Sequence, residues 1–257
     1  MTTAAIVATL SGEVAAGEQG AAPQRRSYWP GAARFKQAAL DALRDPITWG
    51  SAAGALVFGV VDDWDRKVSD WAIDKTPVFG SPENAASWSD DLRTATRISA
   101  ALTAVVAPNE DRPWGSWASR LGWGEAAAYL TDDLTGRLKE ATDRERPNGI
   151  DRRSFPSGHA SVSFAYSTMA AGHIDMMRFP VPVRTGLKIG TYGLASGVAW
   201  ARVEAGWHYP SDVLAGAALG HFLGAFLHDA FLGPDPRTSL VTAFDRDDRY
   251  ILVAIRF

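Results

Sequence analysis

Apolar residues recur every three or four positions along most of the chain, and this spacing predicts a mostly α-helical protein. The predicted helices cover residues 32–43, 47–61, 62–73, 84–107, 124–146, 157–177, 185–202 and 210–231. Proline and glycine clusters separate them, as at Asp45-Pro46 and Pro147-Asn148-Gly149. Since no internal repeat or long linker divides the chain, we expect a single-domain helical bundle with about six core helices.

The two ends of the chain depart from the helical pattern. Residues 250–257 are apolar and β-branched, which is typical of a strand. A lone strand must pair, so we predict a small C-terminal β-hairpin with residues 239–244. Residues 1–27 are expected to form a flexible leader or the remnant of a signal peptide. The predicted organisation is therefore this leader, a helical domain over 28–235 and a strand-forming tail over 236–257.

Charge and composition exclude several classes of protein. The formal net charge of −3 argues against general nucleic-acid binding. The absence of cysteine removes disulfides, thiolate catalysis and cysteine metal sites. The best candidate for a membrane span, residues 213–232, carries His221, His228 and Asp229. Hydropathy therefore favours buried core helices of a soluble bundle over membrane spans.

The first candidate motif is Lys139, six intervening residues, and then Arg146-Pro147. If one helix continues to Pro147, both cations lie on one face, about 10 Å apart along the helix axis. Two such side chains can bind separate oxygens of one tetrahedral anion. The segment contains many other charged residues, and taken alone it is also typical of a solvated helix face.

The second motif is Pro156-Ser157-Gly158-His159, at a predicted helix start. Ser157 is a typical N-cap, and Gly158 lets the backbone approach a ligand closely. The free N–H groups of a helix start favour an anion. His159 is expected in the first turn, facing the same space, although an ordinary capped helix with an incidental histidine would have the same sequence.

The third motif joins Arg202, His208 and Asp212. Asp212 follows His208 by one helical turn, and we expect its carboxylate to accept a hydrogen bond from one imidazole nitrogen. That bond would leave the other nitrogen as a free lone pair that can attack phosphorus. The alternative is a His–Asp pair that only caps a helix.

Together the three motifs resemble the signatures of the type 2 phosphatidic acid phosphatase superfamily. That superfamily includes lipid phosphate phosphatases, bacterial non-specific acid phosphatases and vanadium-dependent haloperoxidases. The resemblance runs from Lys139 to Asp212, and the three motifs occur in the order of the family's signatures. One departure is visible, because Ala201 stands where the third signature usually has serine.

The resemblance implies a role for each matched residue. His208 would form a phosphohistidine, Asp212 would orient it, and His159 would protonate the leaving oxygen and then activate water. The remaining matched residues would bind the phosphoryl oxygens: Lys139, Arg146, Ser157, Gly158 and Arg202.

The implied activity is that of a phosphatase that cleaves a phosphomonoester or diphosphate, most simply that of a lipid, without a metal or other cofactor. Vanadate is expected to inhibit it as a mimic of phosphate. A small acidic group, Asp62, Asp63 and Asp65, is interpreted as a loop or helix start rather than a metal site. The alternatives are a vanadate-dependent haloperoxidase and a catalytically silent binder of lipid phosphate.

Expected partners are a phosphorylated lipid or a small phosphate ester, and a membrane surface. Tryptophans such as Trp29, Trp49, Trp117 and Trp207 are consistent either with a membrane-facing rim or with plain burial. By resemblance to bacterial members, we expect a periplasmic or cell-envelope location.

Overall fold

The computed structural model describes residues 29–110 and 114–233, and these form eight α-helices and a short π-helical segment. The helices are α1 (Ala32–Arg44), α2 (Pro46–Val60), α3 (Trp64–Lys75), α4 (Pro82–Val106), α5 (Trp117–Thr142), α6 (Gly158–Asp175), α7 (Val181–Glu204) and α8 (Pro210–Leu227), and the π-helical segment is His228–Leu232. The mostly helical prediction is confirmed. The predicted leader and C-terminal hairpin lie outside the described residues.

Local sequence explains where several helices begin. Asp45, Ser81, Ser116 and Ser157 each accept a hydrogen bond from a backbone N–H of the first turn that follows. Helix α7 begins at Val181, four residues earlier than predicted, because proline is tolerated in the first turn of a helix.

The end of α5 differs from its predicted position. The helix stops at Thr142, because Asp143 adopts the left-handed conformation with φ of 45°. Arg146 therefore lies in a loop, and its backbone N–H donates to the Asp151 carbonyl oxygen at 3.0 Å. The prediction that Lys139 and Arg146 share one helix face was wrong, although both still belong to the same end of the bundle.

Helix α6 is the centre of the bundle, and nearly all of its residues are buried. It packs closely on α8 because Gly216, Gly220 and Gly224 form a stripe without side chains. A Cβ atom on Gly220 would lie only 1.9 Å from the Ser161 carbonyl oxygen. The close crossing aligns the start of α6 with the start of α8, where the Ser157 N–H donates to the Asp212 carbonyl at 2.9 Å.

Helix α2 packs against α8 on one face and exposes its other face. Its sole buried residue is Thr48, and apolar side chains face outward. Helices α4, α5 and α7 also expose apolar residues. We call this set of exposed residues the apolar belt: Leu56, Val57, Val60, Ile98, Leu102, Val105, Val106, Tyr129, Leu130, Leu134, Val181, Val183, Leu187 and Ile189.

Candidate active site

The three motifs, widely spaced in the sequence, meet at one end of the bundle. This end combines the C-terminus of α5, the N-terminus of α6 and the junction between α7 and α8. The His208 Nδ1 atom lies 2.7 Å from the Ser154 carbonyl oxygen. A Cβ atom on Gly158 would lie 3.9 Å from Lys139 Cε, so the lysine lies against the start of α6. The structure thus brings all the predicted site residues into one region.

His208 is almost completely buried, at 2% exposure, and its ring is fixed by the backbone. Since a carbonyl oxygen can only accept, Nδ1 carries the proton that it donates to Ser154, and Nε2 carries a lone pair. Burial lowers the pKa of His208 to about 4, so the ring is neutral at neutral pH. The tautomer is the one required for attack by Nε2.

Asp212 holds His208 less directly than predicted. Its Oδ2 atom is 3.8 Å from His208 Nδ1, which is too long for a hydrogen bond. Oδ2 instead accepts from Ser154 Oγ at 2.5 Å and from the Tyr209 N–H at 2.8 Å. Ser154 therefore bridges the pair, because its hydroxyl donates to Asp212 while its carbonyl accepts from His208. The direct His–Asp hydrogen bond was predicted wrongly, and Ser154 was missed.

Arg146 and Arg202 both lie close to the ring of Trp207, which the sequence left open between the core and a membrane-facing rim. Their Cζ atoms are 4.8 Å and 4.9 Å from the centroid of the Trp207 ring. Arg146 Nε also donates to Asp151 Oδ1 at 2.6 Å. Trp207 thus positions both cations beside His208, with which it is contiguous in sequence.

Arg202 has unused capacity to bind an anion. It is 8% exposed, and its Nη1 donates to Ser89 Oγ at 3.2 Å. Its buried Nε has no hydrogen-bond partner among the described residues. Buried N–H groups are rarely left unsatisfied, so a bound phosphoryl oxygen is a natural acceptor.

Without a bound anion, the positive charges of the site repel one another. Burial and the charge of Arg146 lower the pKa of Lys139 to about 8, and they lower that of Arg202 to about 10. The Lys139 ammonium donates to the Arg153 carbonyl at 2.7 Å. An anion placed among these three side chains would relieve their repulsion, which is the electrostatic requirement of a phosphate cradle.

His159 lies in the first turn of α6, as predicted, and has a carboxylate partner that the sequence did not reveal. Its Nε2 atom is 2.8 Å from Oδ1 of Asp90, on α4. Burial, with the nearby charge of Arg202, lowers the pKa of His159 to about 4. Asp90 opposes this effect, because an adjacent carboxylate stabilises the imidazolium form.

A comparison with known families matches residues 95–232 to the PAP2 superfamily. This stretch is more than half of the chain and contains all three motifs. The chain belongs to the PAP2 superfamily. The resemblance inferred from the motifs alone is thereby confirmed.

Curated relatives of this PAP2 protein are phosphatases by name. A decaprenylphosphoryl-5-phosphoribose phosphatase of Mycobacterium tuberculosis is 34% identical over 139 residues, covering 51% of this chain and 68% of that protein. A lipid A 1-phosphatase of Porphyromonas gingivalis is 31% identical over 110 residues, covering 42% of this chain. The aligned part is 23% of that protein, so the chain spans about a quarter of its length.

Among solved structures, the protein is similar to a transmembrane PAP2-type phosphatidylglycerolphosphate phosphatase from Bacillus subtilis. The TM-score is 0.44 at 18% sequence identity, and the match covers 75% of this chain and 90% of that one.

Proposed function

We propose that this PAP2 protein is a phosphatase that cleaves a lipid phosphomonoester or diphosphate through a phosphohistidine on His208. The observation that carries the proposal is the buried, neutral His208 beside three cations, one of which has a buried N–H without a partner in the part of the chain that the structure describes. A neutral imidazole with a fixed tautomer is a nucleophile, and the cations supply the anion binding. In this proposal the cations, and no metal ion, stabilise the charge that develops on the phosphoryl oxygens.

In the first step, Lys139, Arg146 and Arg202 bind the phosphoryl oxygens together with the N-terminal end of α6. Nε2 of His208 attacks phosphorus, so a P–N bond forms while the P–O bond to the leaving group breaks. The anionic substrate offsets the charge of Arg202 and favours protonated His159. That imidazolium then donates its proton to the leaving oxygen.

In the second step, His159 is neutral and takes a proton from water. The water oxygen attacks phosphorus, the P–N bond breaks, and His208 returns to its neutral form. Asp212 stabilises the positive charge on the phosphorylated ring, because its carboxylate lies 3.8 Å from Nδ1 and holds Ser154. Protons and bonds balance over the two steps, and the products are an alcohol or phosphate ester and inorganic phosphate.

The apolar belt supports a lipid substrate. It lies on α2, α4, α5 and α7, and large exposed apolar surfaces mark membrane or protein contacts. By length and composition, the segment Pro210–Leu232 is the single described helix that could cross a membrane, and 56% of its most apolar stretch is buried inside the protein. We therefore base membrane association on the outer helices. We place the site on the periplasmic or envelope side, by resemblance to bacterial members.

The test measures phosphate release with EDTA present, from p-nitrophenyl phosphate and from micelles of phosphatidate or a polyprenyl diphosphate. We expect His208→Ala to lower kcat by about a thousandfold or more. His221→Ala is the matched control, because His221 has the same 2% exposure but lies in the C-terminal half of α8.

Retained activity in His208→Ala, or dependence of the wild type on added metal, would contradict the phosphohistidine mechanism. A wild type that releases no phosphate from any of these substrates would overturn the phosphatase proposal. Bromide oxidation with added vanadate would then test the haloperoxidase alternative.

A further inference from the structure

Behind the predicted phosphate cradle, a guanidinium lies between two carboxylates that are far apart in the sequence. Arg144 Nη1 is 2.6 Å from Asp212 Oδ1, and Arg144 Nη2 is 2.6 Å from Asp65 Oδ2. The guanidinium carbon also lies 4.3 Å from the centroid of the Tyr209 ring. Arg144 is therefore held by an α3 side chain, an α8 side chain and the residue that caps α8.

Asp65 is an unusual residue to find buried, with 7% exposure. Besides the guanidinium, it accepts the Ser211 backbone N–H at 2.8 Å and the Ser211 hydroxyl. Arg144 Nη1 also donates to Ser211 Oγ at 2.7 Å. A buried carboxylate is costly unless it is paired and hydrogen-bonded. The partners of Asp65 are Ser211, which precedes Asp212 in the sequence, and Arg144, which binds Asp212.

The contacts of Arg144 distinguish it from the predicted phosphate ligands. Both of its Nη atoms are engaged by carboxylates, whereas Arg202 has a buried N–H with no partner within residues 29–110 and 114–233. The Arg137–Asp133 pair on α5 provides a contrast, because both of those side chains are largely exposed. A surface pair of that kind contributes little, whereas the fixed geometry of Arg144 acts on one oxygen of the carboxylate beside His208.

We infer that Arg144, held in place by Asp65, is a positioning residue for Asp212 and thereby for the Ser154–His208 pair. The inference rests on the proposed function. It adds to the site a residue of α3, Asp65, which precedes the stretch matched to the PAP2 superfamily.

The two oxygens of Asp212 explain how the effect is transmitted. Oδ1 is occupied by Arg144, so Oδ2 remains directed at Ser154 Oγ and the Tyr209 N–H. Without the guanidinium, the carboxylate can rotate and release Ser154, whose carbonyl fixes the His208 ring. A displacement of about 1 Å in a catalytic group can cost about a hundredfold in rate. Substrate binding should change little, because Arg144 does not belong to the proposed phosphate ligands.

The test compares kcat and KM for p-nitrophenyl phosphate in full-length wild type and variants, with near-UV circular dichroism to measure the folded fraction. We expect Arg144→Gln to lower kcat by about 30- to 100-fold and to change KM by less than about threefold. Arg144→Lys should recover part of the loss, since it restores the charge but cannot form the same two-carboxylate bridge. Arg137→Gln is the control and should retain wild-type kcat.

Asp65→Asn is the second variant, because it preserves the shape of the side chain. We expect it to lower kcat about tenfold, and the double variant with Arg144→Gln to be no worse than Arg144→Gln alone, since both act through one contact. The inference is overturned if Arg144→Gln keeps wild-type kcat, if its defect is in KM, or if the loss equals the loss of folded protein. An inactive wild type would overturn the proposed function and this inference together, whereas an active wild type with active variants would overturn the inference alone.

Discussion

Lys139 is the proposed phosphate ligand whose protonation is most sensitive to pH. Burial and the charge of Arg146 lower its pKa to about 8, so in the free protein the ammonium loses its proton as pH rises through that value. A neutral amine binds an anion weakly. We therefore predict that kcat/KM for phosphate esters falls as pH rises above about 8, and that it does not fall for this reason at lower pH.

Lys139→Arg tests the assignment of this alkaline limb. Arginine stays protonated at high pH, so the variant should keep kcat/KM up to a higher pH than the wild type does, even if its maximum is lower. The measurement is the pH profile of kcat/KM from pH 5 to pH 10. An alkaline limb at the same pH in both proteins would show that another group titrates there.

The sequence predicts the candidate site residues that belong to known motifs, and it gives no sign of those that are proposed from contacts across the fold. Arg144 lies between Lys139 and Arg146, in a run of charges that is typical of a solvated helix face. Asp65 was interpreted as part of a loop or helix start. Asp90 joins His159 only because α4 packs beside α6. No local pattern distinguishes such residues from ordinary surface charges.

At the scale of the elements, the site depends on how closely α6 and α8 approach. A Cβ atom on Gly220 would meet the Ser161 carbonyl oxygen at 1.9 Å, and backbone cannot move aside as a flexible side chain can. We predict that Gly220→Ala destabilises the protein by about 3 kcal/mol, because overpacking forces the two helices apart. It should also lower kcat, since the crossing aligns the start of α6 with Asp212.

The matched control is Gly122→Ala on α5, where a Cβ atom would meet nothing within 4 Å. Alanine is the better helix former, so this variant should be more stable by about 0.5–1 kcal/mol. Thermal unfolding of both variants, measured in the same detergent or buffer as the wild type, provides the comparison. Equal unfolding midpoints for Gly220→Ala and the wild type would contradict the packing argument.

The elements themselves were predictable from spacing, whereas some boundaries were not. All eight helices were expected, because the apolar periodicity and the proline breaks are local signals, but α5 begins at Trp117 rather than at the predicted Gly124. The end of α5 was predicted too late in the sequence, because Asp143 adopts the left-handed backbone conformation. The local sequence Thr142-Asp143-Arg144 does not predict that conformation. That single residue decides whether Arg146 extends from a helix or from the loop beside Trp207.

At the scale of the whole molecule, the position of apolar residues matters more than their number. Hydropathy along the sequence favoured core helices of a soluble bundle, since charged residues interrupt most apolar stretches. In the structure, the large apolar side chains of α4 and α7 that belong to the apolar belt lie on the outer faces of these helices. A surface of this kind is unfavourable in water and favourable against hydrocarbon.

We therefore predict that the wild type floats with phospholipid vesicles in a density gradient and that a charge placed in the apolar belt weakens this association. Leu102 on α4 is 61% exposed, so Leu102→Glu should fold normally while it places a carboxylate against the membrane. Transferring such a charge into hydrocarbon costs about 2–4 kcal/mol, enough to shift the distribution toward the unbound fraction. Leu102→Ala is the control, because it removes bulk without adding charge and should remain with the vesicles. If the wild type stayed in the aqueous fraction as a monodisperse protein without detergent, the belt would have to be covered by something other than lipid.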